Sequence, residues 1–275
     1  MRTYLMVFLY LAVISLAQGC VAMQSDPPPT LVITDSQLEW VGRQVFRNEC
    51  DLRPSCLVHW NRGEPFPSLG IGHFIWYPVG GGGPFVESFP SLVAYMGAQD
   101  VDVPQWLLRQ APEGAPWPDR EAFLRAEQED SRVDQLRQLL SATPAVQAAF
   151  LMSRARDAMT DVVAASDNPG RTRAKINALT MTPGGTYALI DYVNFKGEGL
   201  AESERYRGVG WGLLQVLEAM PEKELATVTV LEQFREAAAK VLTSRAELAE
   251  RPIEREQWLA GWLKRVDTYR EPDDQ

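Results

Sequence analysis

The stretch NECDLRPSCLVHWNRGEPFPSLGIGHFIWYP, at positions 48–78, holds most of the residues that suggest a chemistry. Just upstream, Leu38, Val41 and Val45 lie at helical spacing, and Glu49 ends the same apolar face. A charged carboxylate there is disfavoured by desolvation and by the negative end of the helix dipole. Both effects favour a retained proton, which a general acid needs. The alternative is a structural glutamate with its own hydrogen-bond partners.

Length and composition describe an ordinary soluble globular chain. The 275 residues are 45% hydrophobic and 23% charged, which allows one large domain or two smaller ones. The net charge of −9 argues against a general affinity for nucleic acid or anionic membranes. It does not exclude an anionic polymer as substrate, because the local field at a site matters more than net charge.

The first residues predict a signal for export and not a part of the folded domain. Arg2 precedes an apolar run from Tyr4 to Leu16, so residues 1–19 are expected to be a secretory signal peptide. Gly19-Cys20 resembles a bacterial lipobox, and a lipid on Cys20 would make 20–34 a lipidated tether, rich in proline. Val21 is compatible with delivery to the outer membrane, facing the periplasm. The alternative is ordinary signal cleavage after Gly19.

The remaining cysteines predict a disulfide. With Cys20 lipidated, Cys50 and Cys56 are the pair left in an oxidising compartment. We expect no metal site, because only His59 and His73 are available and there is no second cysteine pair. No cofactor is expected either.

The chain reads as α+β and mostly helical. The first helix is expected from Ser36, in a capping box with Glu39, to about Cys50. A small β region follows, with a strand at 57–60, a turn at 61–64 and a second strand from Ser68 to Trp76. Its glycines at 70 and 72 suggest a close backbone approach. The predicted helices after Ser91 cover 119–140, 145–165, 187–195, 209–220, 231–250 and 253–269.

The order of these parts resembles the phage-type lysozyme family: a helix ending in glutamate, a β hairpin with Gly-Ile-Gly-His at 70–73, then a helical lobe. Glu49 matches the catalytic glutamate of that family, and Ser68 stands where the family has threonine. Weaker matches are 188–193 with Gly197-Glu198, and the C-terminal helix at 258–269. The resemblance implies a lysozyme-like fold over 35–270, with a small hairpin lobe and a larger helical lobe.

Two departures limit what the resemblance implies. Arg62 stands where the family has its second acid, so Glu64 is the nearest replacement and Asp51 a poorer one. The run Gly212-Leu213-Leu214-Gln215 is similar to a motif of lytic transglycosylases, which need only one catalytic acid. That similarity would make Gln215 a sugar ligand. Its alternative role is a capped polar group in a packed helix.

The resemblance implies an enzyme, a muramidase-type glycosidase that cleaves peptidoglycan, with Glu49 as general acid. Glu64, or a water held by Ser68, is expected to assist on the other face of the sugar. The expected substrate contacts are His73, Trp60, Tyr77 and Gln215, although strand alternation sends some of the local aromatics into the core.

Two other functions stay open at this point. One is a lytic transglycosylase using the same glutamate, and the other is a non-catalytic, cell-wall-binding lipoprotein that has lost the second acid. A serine hydrolase does not fit, because Ser68 lacks a Gly-x-Ser-x-Gly elbow. The expected partners are a peptidoglycan-type glycan and a membrane through the lipid anchor, with no nucleic acid and a monomeric chain.

Overall fold

A computed structural model describes residues 34–83, 85–221 and 227–272. The predicted signal peptide, Cys20 and most of the tether lie outside the described residues. The helices are α1 (Asp35–Cys50), α2 (Phe89–Ala98), α3 (Gln105–Gln110), α4 (Arg120–Glu129), α5 (Ser131–Ala142), α6 (Pro144–Ala165), α7 (Pro169–Leu179), α8 (Pro183–Lys196), α9 (Leu213–Ala219), α10 (Thr227–Leu248) and α11 (Leu259–Asp267). The strands are β1 (Val58–His59), β2 (Ser68–Leu69), β3 (Phe74–Ile75), β4 (Arg205–Tyr206) and β5 (Val209–Gly210). A mostly helical α+β architecture is therefore confirmed.

Helix α1 carries Glu49 in its last turn, as predicted, but it is capped earlier than expected. Thr34 is the N-cap: its hydroxyl accepts from the Gln37 backbone N–H at 3.3 Å, and the Gln37 side chain accepts from the Thr34 N–H at 2.9 Å. The predicted Ser36–Glu39 box is wrong by two residues. The apolar face is correct, because Val41 and Val45 are fully buried, and α1 packs mainly against α6.

The first sheet has three antiparallel strands in the order β1-β2-β3. Val58 pairs with Leu69, and Leu69 pairs in turn with Phe74. The predicted single strand from Ser68 to Trp76 is therefore wrong, because residues 70–73 form the turn between β2 and β3. Gly70 and His73 adopt left-handed backbone angles there, with φ of 69° and 48°.

The predicted close approach at the glycines is confirmed. A Cβ on Gly70 would lie 2.4 Å from Oε1 of Gln147, the buried α6 side chain that accepts a hydrogen bond from the Ile71 N–H at 2.9 Å. A Cβ on Gly72 would lie 2.7 Å from the Phe74 ring. Only glycine leaves room for this turn to sit on α6.

The predicted disulfide is confirmed in the structure. Cys50 and Cys56 are bonded, with a Cα–Cα distance of 5.4 Å. The bond ties the last residue of α1 to the 3₁₀ turn at Pro54–Leu57, which leads into β1. It therefore fixes the segment directly after Glu49.

Two of the predicted helical segments are divided differently in the structure. The segment 119–140 is two helices, α4 and α5, because Asp130 ends the first and caps the second by accepting from the Arg132 N–H at 2.9 Å. The segment 209–220 begins with the β4–β5 hairpin and becomes helical only at Leu213.

Helix α8 is the central buried helix, as predicted. It packs against α1, α6 and α7, and its residues 184–192 are all buried, Asp191 among them. The predicted core stripe of the last helix is confirmed at Trp262, Val266 and Tyr269 and wrong at Trp258, which is 37% exposed. Within the described part of the chain, no helix has the length and apolarity needed to cross a membrane.

Candidate active site

Glu49 is held between the β2–β3 turn and the last helix. Its Oε1 forms an ion pair with Nη2 of Arg265 on α11. Its Oε2 lies 3.2 Å from Nδ1 of His73, the last residue of the Gly-Ile-Gly-His run. The Glu49 side chain is 11% exposed, so it is shielded but still reaches solvent.

Arg265 joins Glu49 to Asp191 of the buried central helix. Its Nε lies 2.8 Å from Asp191 Oδ2, and its Nη2 lies 2.9 Å from Oδ1, which is a bidentate pair. The Tyr269 hydroxyl donates to Asp191 Oδ2 at 2.8 Å. Burial alone would lower the pKa of Arg265, but Asp191 and Glu49 outweigh it and hold that pKa well above its ordinary value.

A second set of hydrogen bonds connects the end of α1 to α8 and to the end of α11. Asn48 donates its side-chain N–H to the hydroxyls of Tyr187 and of Thr268, the latter at 3.1 Å. Those two hydroxyls are 2.9 Å apart, and Thr268 donates to the backbone carbonyl of Arg265 at 2.6 Å. These contacts set the position of Glu49 relative to α8 and α11.

His73 is placed to donate to Glu49. Burial lowers the pKa of His73 below its ordinary value, and the Glu49 carboxylate offsets this only in part. A neutral imidazole with its proton on Nδ1 donates to Glu49, which leaves Nε2 facing Cys56 Sγ at 3.8 Å. This contact holds the β2–β3 turn next to the acid.

A cleft of about 510 Å³ opens beside Glu49, at the junction of α1 and α11. A volume of this size can hold part of a ligand next to the carboxyl. The residues that line it are Arg47, Asn48, Glu49, Cys50, Asp51, Arg53, Gly261, Lys264, Arg265 and Thr268.

The two candidate assisting residues lie at the small sheet, Ser68 in β2 and Glu64 in the turn before it, and neither lines this cleft. Glu64 is half-buried in the turn after β1, where its carboxylate accepts from the Asn61 side-chain N–H at 3.2 Å. Ser68 starts β2 opposite His59 and is 5% exposed. Asp51, the poorer replacement for the second acid, is exposed and lines the cleft as the C-cap of α1.

Trp60 and Tyr77 are not positioned to stack on a sugar. Trp60 is 4% exposed, packs against Phe123 and donates its indole N–H to the Glu64 carbonyl at 2.8 Å. Tyr77 is 5% exposed and packs edge-on against Phe66. Both rings are buried just outside the strands, so neither face is open to a sugar in this structure, and their role as substrate contacts stays a prediction.

Gln215 has the structural role that was its alternative in the sequence. Its amide oxygen accepts from the Gly212 N–H at 2.9 Å, and its amide nitrogen donates to the Gly199 carbonyl at 3.2 Å. Both ends of the side chain therefore hold the start of α9 against the turn that follows α8. A sugar would have to displace these hydrogen bonds.

Arg265 and Asp191 belong to the candidate site by their contacts, and sequence reasoning did not point to them. A signal for them existed: Asp191 interrupts an apolar run at 187–195, and a carboxylate in such a run needs a buried partner. The apolar stripe of the last helix contains two candidate cations, Lys264 and Arg265, and local pattern does not choose between them.

Cys50, Cys56 and His73 bring potential metal-ligand atoms within 4.8 Å of one another. The two sulfur atoms are bonded to each other, and zinc ligation requires thiolates. The cluster is therefore not a metal centre in the oxidised chain.

Comparison with known proteins gives no match: neither a family model, nor a curated protein, nor a solved structure matches this chain. The geometry provides a shielded carboxyl that is positioned by an imidazole and a guanidinium at the wall of a cleft. Such a carboxyl is a candidate for proton transfer to a bound ligand, but here Arg265 pairs with it as a carboxylate.

Proposed function

We propose that this protein is a glycosidase of the lysozyme-like superfamily that cleaves peptidoglycan, with Glu49 as its general acid. The observation that carries the proposal is the position of Glu49. It lies in the last turn of α1, contacts His73 of the Gly-Ile-Gly-His turn, and lines the cleft of about 510 Å³. The resemblance in the sequence and the geometry of the site both support Glu49 as the general acid.

In the proposed reaction, Glu49 gives its proton to the glycosidic oxygen while the bond to the anomeric carbon breaks. Positive charge develops on the sugar ring as an oxocarbenium-like transition state. Arg265 then stabilises the carboxylate that remains on Glu49, since its guanidinium already contacts Oε1. A water adds to the anomeric carbon and loses one proton, which restores Glu49.

A lytic transglycosylase is the second candidate, and the β1–β2 turn favours it. Arg62, at the position where phage-type lysozymes carry the second acid, is exposed, and the Glu64 carboxylate is hydrogen-bonded to Asn61 within the same turn. In a single-acid reaction, Glu49 would protonate the leaving oxygen. A hydroxyl of the sugar itself would then attack the anomeric carbon and give its proton back to the Glu49 carboxylate. Hydrolysis adds one water to the product mass, whereas this reaction does not.

Replacement of Glu49 tests the proposal. Glu49→Gln keeps the size of the side chain but cannot donate the proton, so the rate on purified sacculi should fall by about 10²–10⁴-fold. Its fold should persist, because Arg265 keeps its bidentate pair with Asp191. The measurement is mass spectrometry of released fragments, alongside a thermal melt. Glu39→Gln, an exposed position on the same helix, is the matched control.

The alternative outcomes of this experiment are distinct. If the wild type binds sacculi without releasing fragments, and Glu49→Gln binds them equally well, the protein is a non-catalytic wall-binding protein. A Glu49→Gln variant that unfolds makes Glu49 structural. Glu64→Gln separates the two enzymatic mechanisms, because a comparable loss supports two carboxylates and a mild loss supports one.

Export and lipidation of Cys20 are part of the same proposal and rest on the sequence alone. An anchored periplasmic chain would lie beside the polymer that we propose as its substrate. The partner would then be peptidoglycan itself, with the lipid holding the protein at the membrane.

A further inference from the structure

The Glu49 cleft is basic, although the protein is acidic. The chain has a net charge of −9. Four of the residues that line the cleft are cations, and two are acids. A local excess of one charge inside a concave surface concentrates ligands of the opposite charge.

Three of the four cations have no acid paired with them. Arg265 is neutralised by Glu49 and Asp191. Among the described residues, Arg47, Arg53 and Lys264 form no ion pair. The only other acid of the cleft lining is Asp51.

Two of these cations are held by hydrogen bonds to nearby residues. The guanidinium of Arg47 donates to Gln44 on α1 at 3.1 Å, and Nε of Arg53 donates to the Cys50 carbonyl at 3.4 Å. Arg53 lies inside the loop that the disulfide closes, and Lys264 precedes Arg265 on α11. The three side chains thus come from both walls of the cleft.

We propose that Arg47, Arg53 and Lys264 form a subsite for a carboxylate carried by the glycan, so that the cleft selects acidic strands over neutral ones. This inference rests on the proposed function, because it assigns the ligand of the same cleft. Carboxylates in such a polymer come from two sources, the lactyl ether on the sugar and the peptide attached to it. Guanidinium and ammonium groups bind either one through charge-assisted hydrogen bonds.

The test measures binding rather than cleavage, on the Glu49→Gln variant so that ligands stay intact. The ligands are a neutral N-acetylglucosamine oligomer, a lactyl-bearing oligomer without peptide, and the same oligomer with peptide. At low salt, the preferred acidic oligomer should bind about tenfold more tightly than the neutral one, since three exposed cations each contribute modestly. That preference should shrink as sodium chloride is added.

The variant Arg47→Gln/Arg53→Gln/Lys264→Gln should lose the preference for acidic oligomers and keep its affinity for the neutral one. Arg43→Gln, an exposed position on α1 outside the cleft lining, should keep the preference. If only the peptide-bearing oligomer gains affinity, the peptide supplies the carboxylate. If only the peptide-free oligomer gains affinity, the lactyl carboxylate does, because attachment of the peptide converts that carboxylate into an amide. If both gain affinity, the subsite accepts either carboxylate.

Equal affinity for neutral and acidic oligomers, or a preference that survives the triple substitution, overturns the subsite. That failure is separate from failure of the proposed function. If the protein cleaves neutral and acidic strands at equal rates, the proposed subsite is wrong and the proposed enzymatic activity stands. If the wild type binds acidic strands selectively but cleaves none of them, the proposed enzymatic activity is wrong and the proposed subsite stands.

Discussion

A single guanidinium determines how charge is arranged at the candidate site. Arg265 lies between two carboxylates, of which Asp191 is completely shielded from solvent. A carboxylate in that position is tolerable only while its charge is compensated and hydrogen-bonded. Arg265 therefore has two functions, since it balances a charge in the core and positions the carboxyl at the cleft.

Removal of Arg265 should destabilise the protein strongly. Arg265→Gln leaves Asp191 buried without a cation, so the free energy of unfolding should fall by about 3–5 kcal/mol. Urea denaturation measures this, with Asp191→Asn/Arg265→Gln as the companion variant. The double variant should recover part of the loss, because the unpaired charge is gone. Equal destabilisation of the two variants would show that packing, and not charge, explains the cost.

The turn at residues 70–73 shows what the sequence can and cannot predict about an element. The glycines, the helix that ends in Glu49 and the disulfide were predictable, because each depends on neighbours within a few positions. The strand boundaries were not, because an apolar run from Ser68 to Trp76 suits a strand as well as two strands with a turn.

Two further differences have similar local causes. The β4–β5 hairpin turns at Arg207-Gly208, both with positive φ, inside a segment whose apolar residues also fit a helix. The break at Asp130 depends on one capping hydrogen bond within a segment of continuous helical periodicity. The pairing of Arg265 with Glu49 and Asp191 spans 216 and 74 positions, and no short-range pattern encodes it.

Alanine at Gly70 should test how closely the turn sits on α6. The left-handed φ costs about 1–2 kcal/mol for alanine. The new Cβ would also displace Gln147 from its hydrogen bond with Ile71, which adds about 1–3 kcal/mol for the orphaned buried group. The free energy of unfolding, from chemical denaturation, should fall by the sum of the two.

Gly80→Ala is the matched control for that substitution. Gly80 also has a positive φ, of 72°, but a Cβ there meets nothing within 4 Å. The free energy of unfolding of Gly80→Ala should therefore fall only by the cost of the left-handed backbone angle. Equal losses at the two glycines would argue against a tight contact between the turn and Gln147.

Basic side chains and aromatic rings form a column where α8, α10 and α11 meet. This column should affect the stability of the entire protein. Nζ of Lys196 lies 3.6 Å from the centre of the Trp262 ring and 4.0 Å from that of Phe195. Arg245 lies 4.0 Å from the Trp211 ring. The column therefore connects α8, α10, α11 and the residue after β5. Burial, followed by Arg245 and Arg265, lowers the pKa of the Lys196 amine from 10.5 to about 6.

The pH dependence of unfolding should reveal Lys196. Between pH 6 and 10.5 the unfolded chain binds more protons at this group than the folded chain, so stability should rise with pH across that window. Lys196→Met should remove this contribution to the slope and unfold at higher denaturant than the wild type at neutral pH. Denaturant midpoints at several pH values measure it, with exposed Lys240→Met as control. An unchanged slope in Lys196→Met would mean that the two rings keep the ammonium charged.

The distance along the chain between Glu49 and Arg265 also determines how late in synthesis the site can assemble. At about 5–20 residues per second, a ribosome needs roughly 10–40 s to make the 216 residues between them. Throughout that interval Glu49 lacks the guanidinium that pairs with it in the folded chain, and Asp191, once made, lacks its counter-ion. A nascent chain therefore holds every residue of the Gly-Ile-Gly-His turn without an assembled site. Only the docking of α11 completes the site.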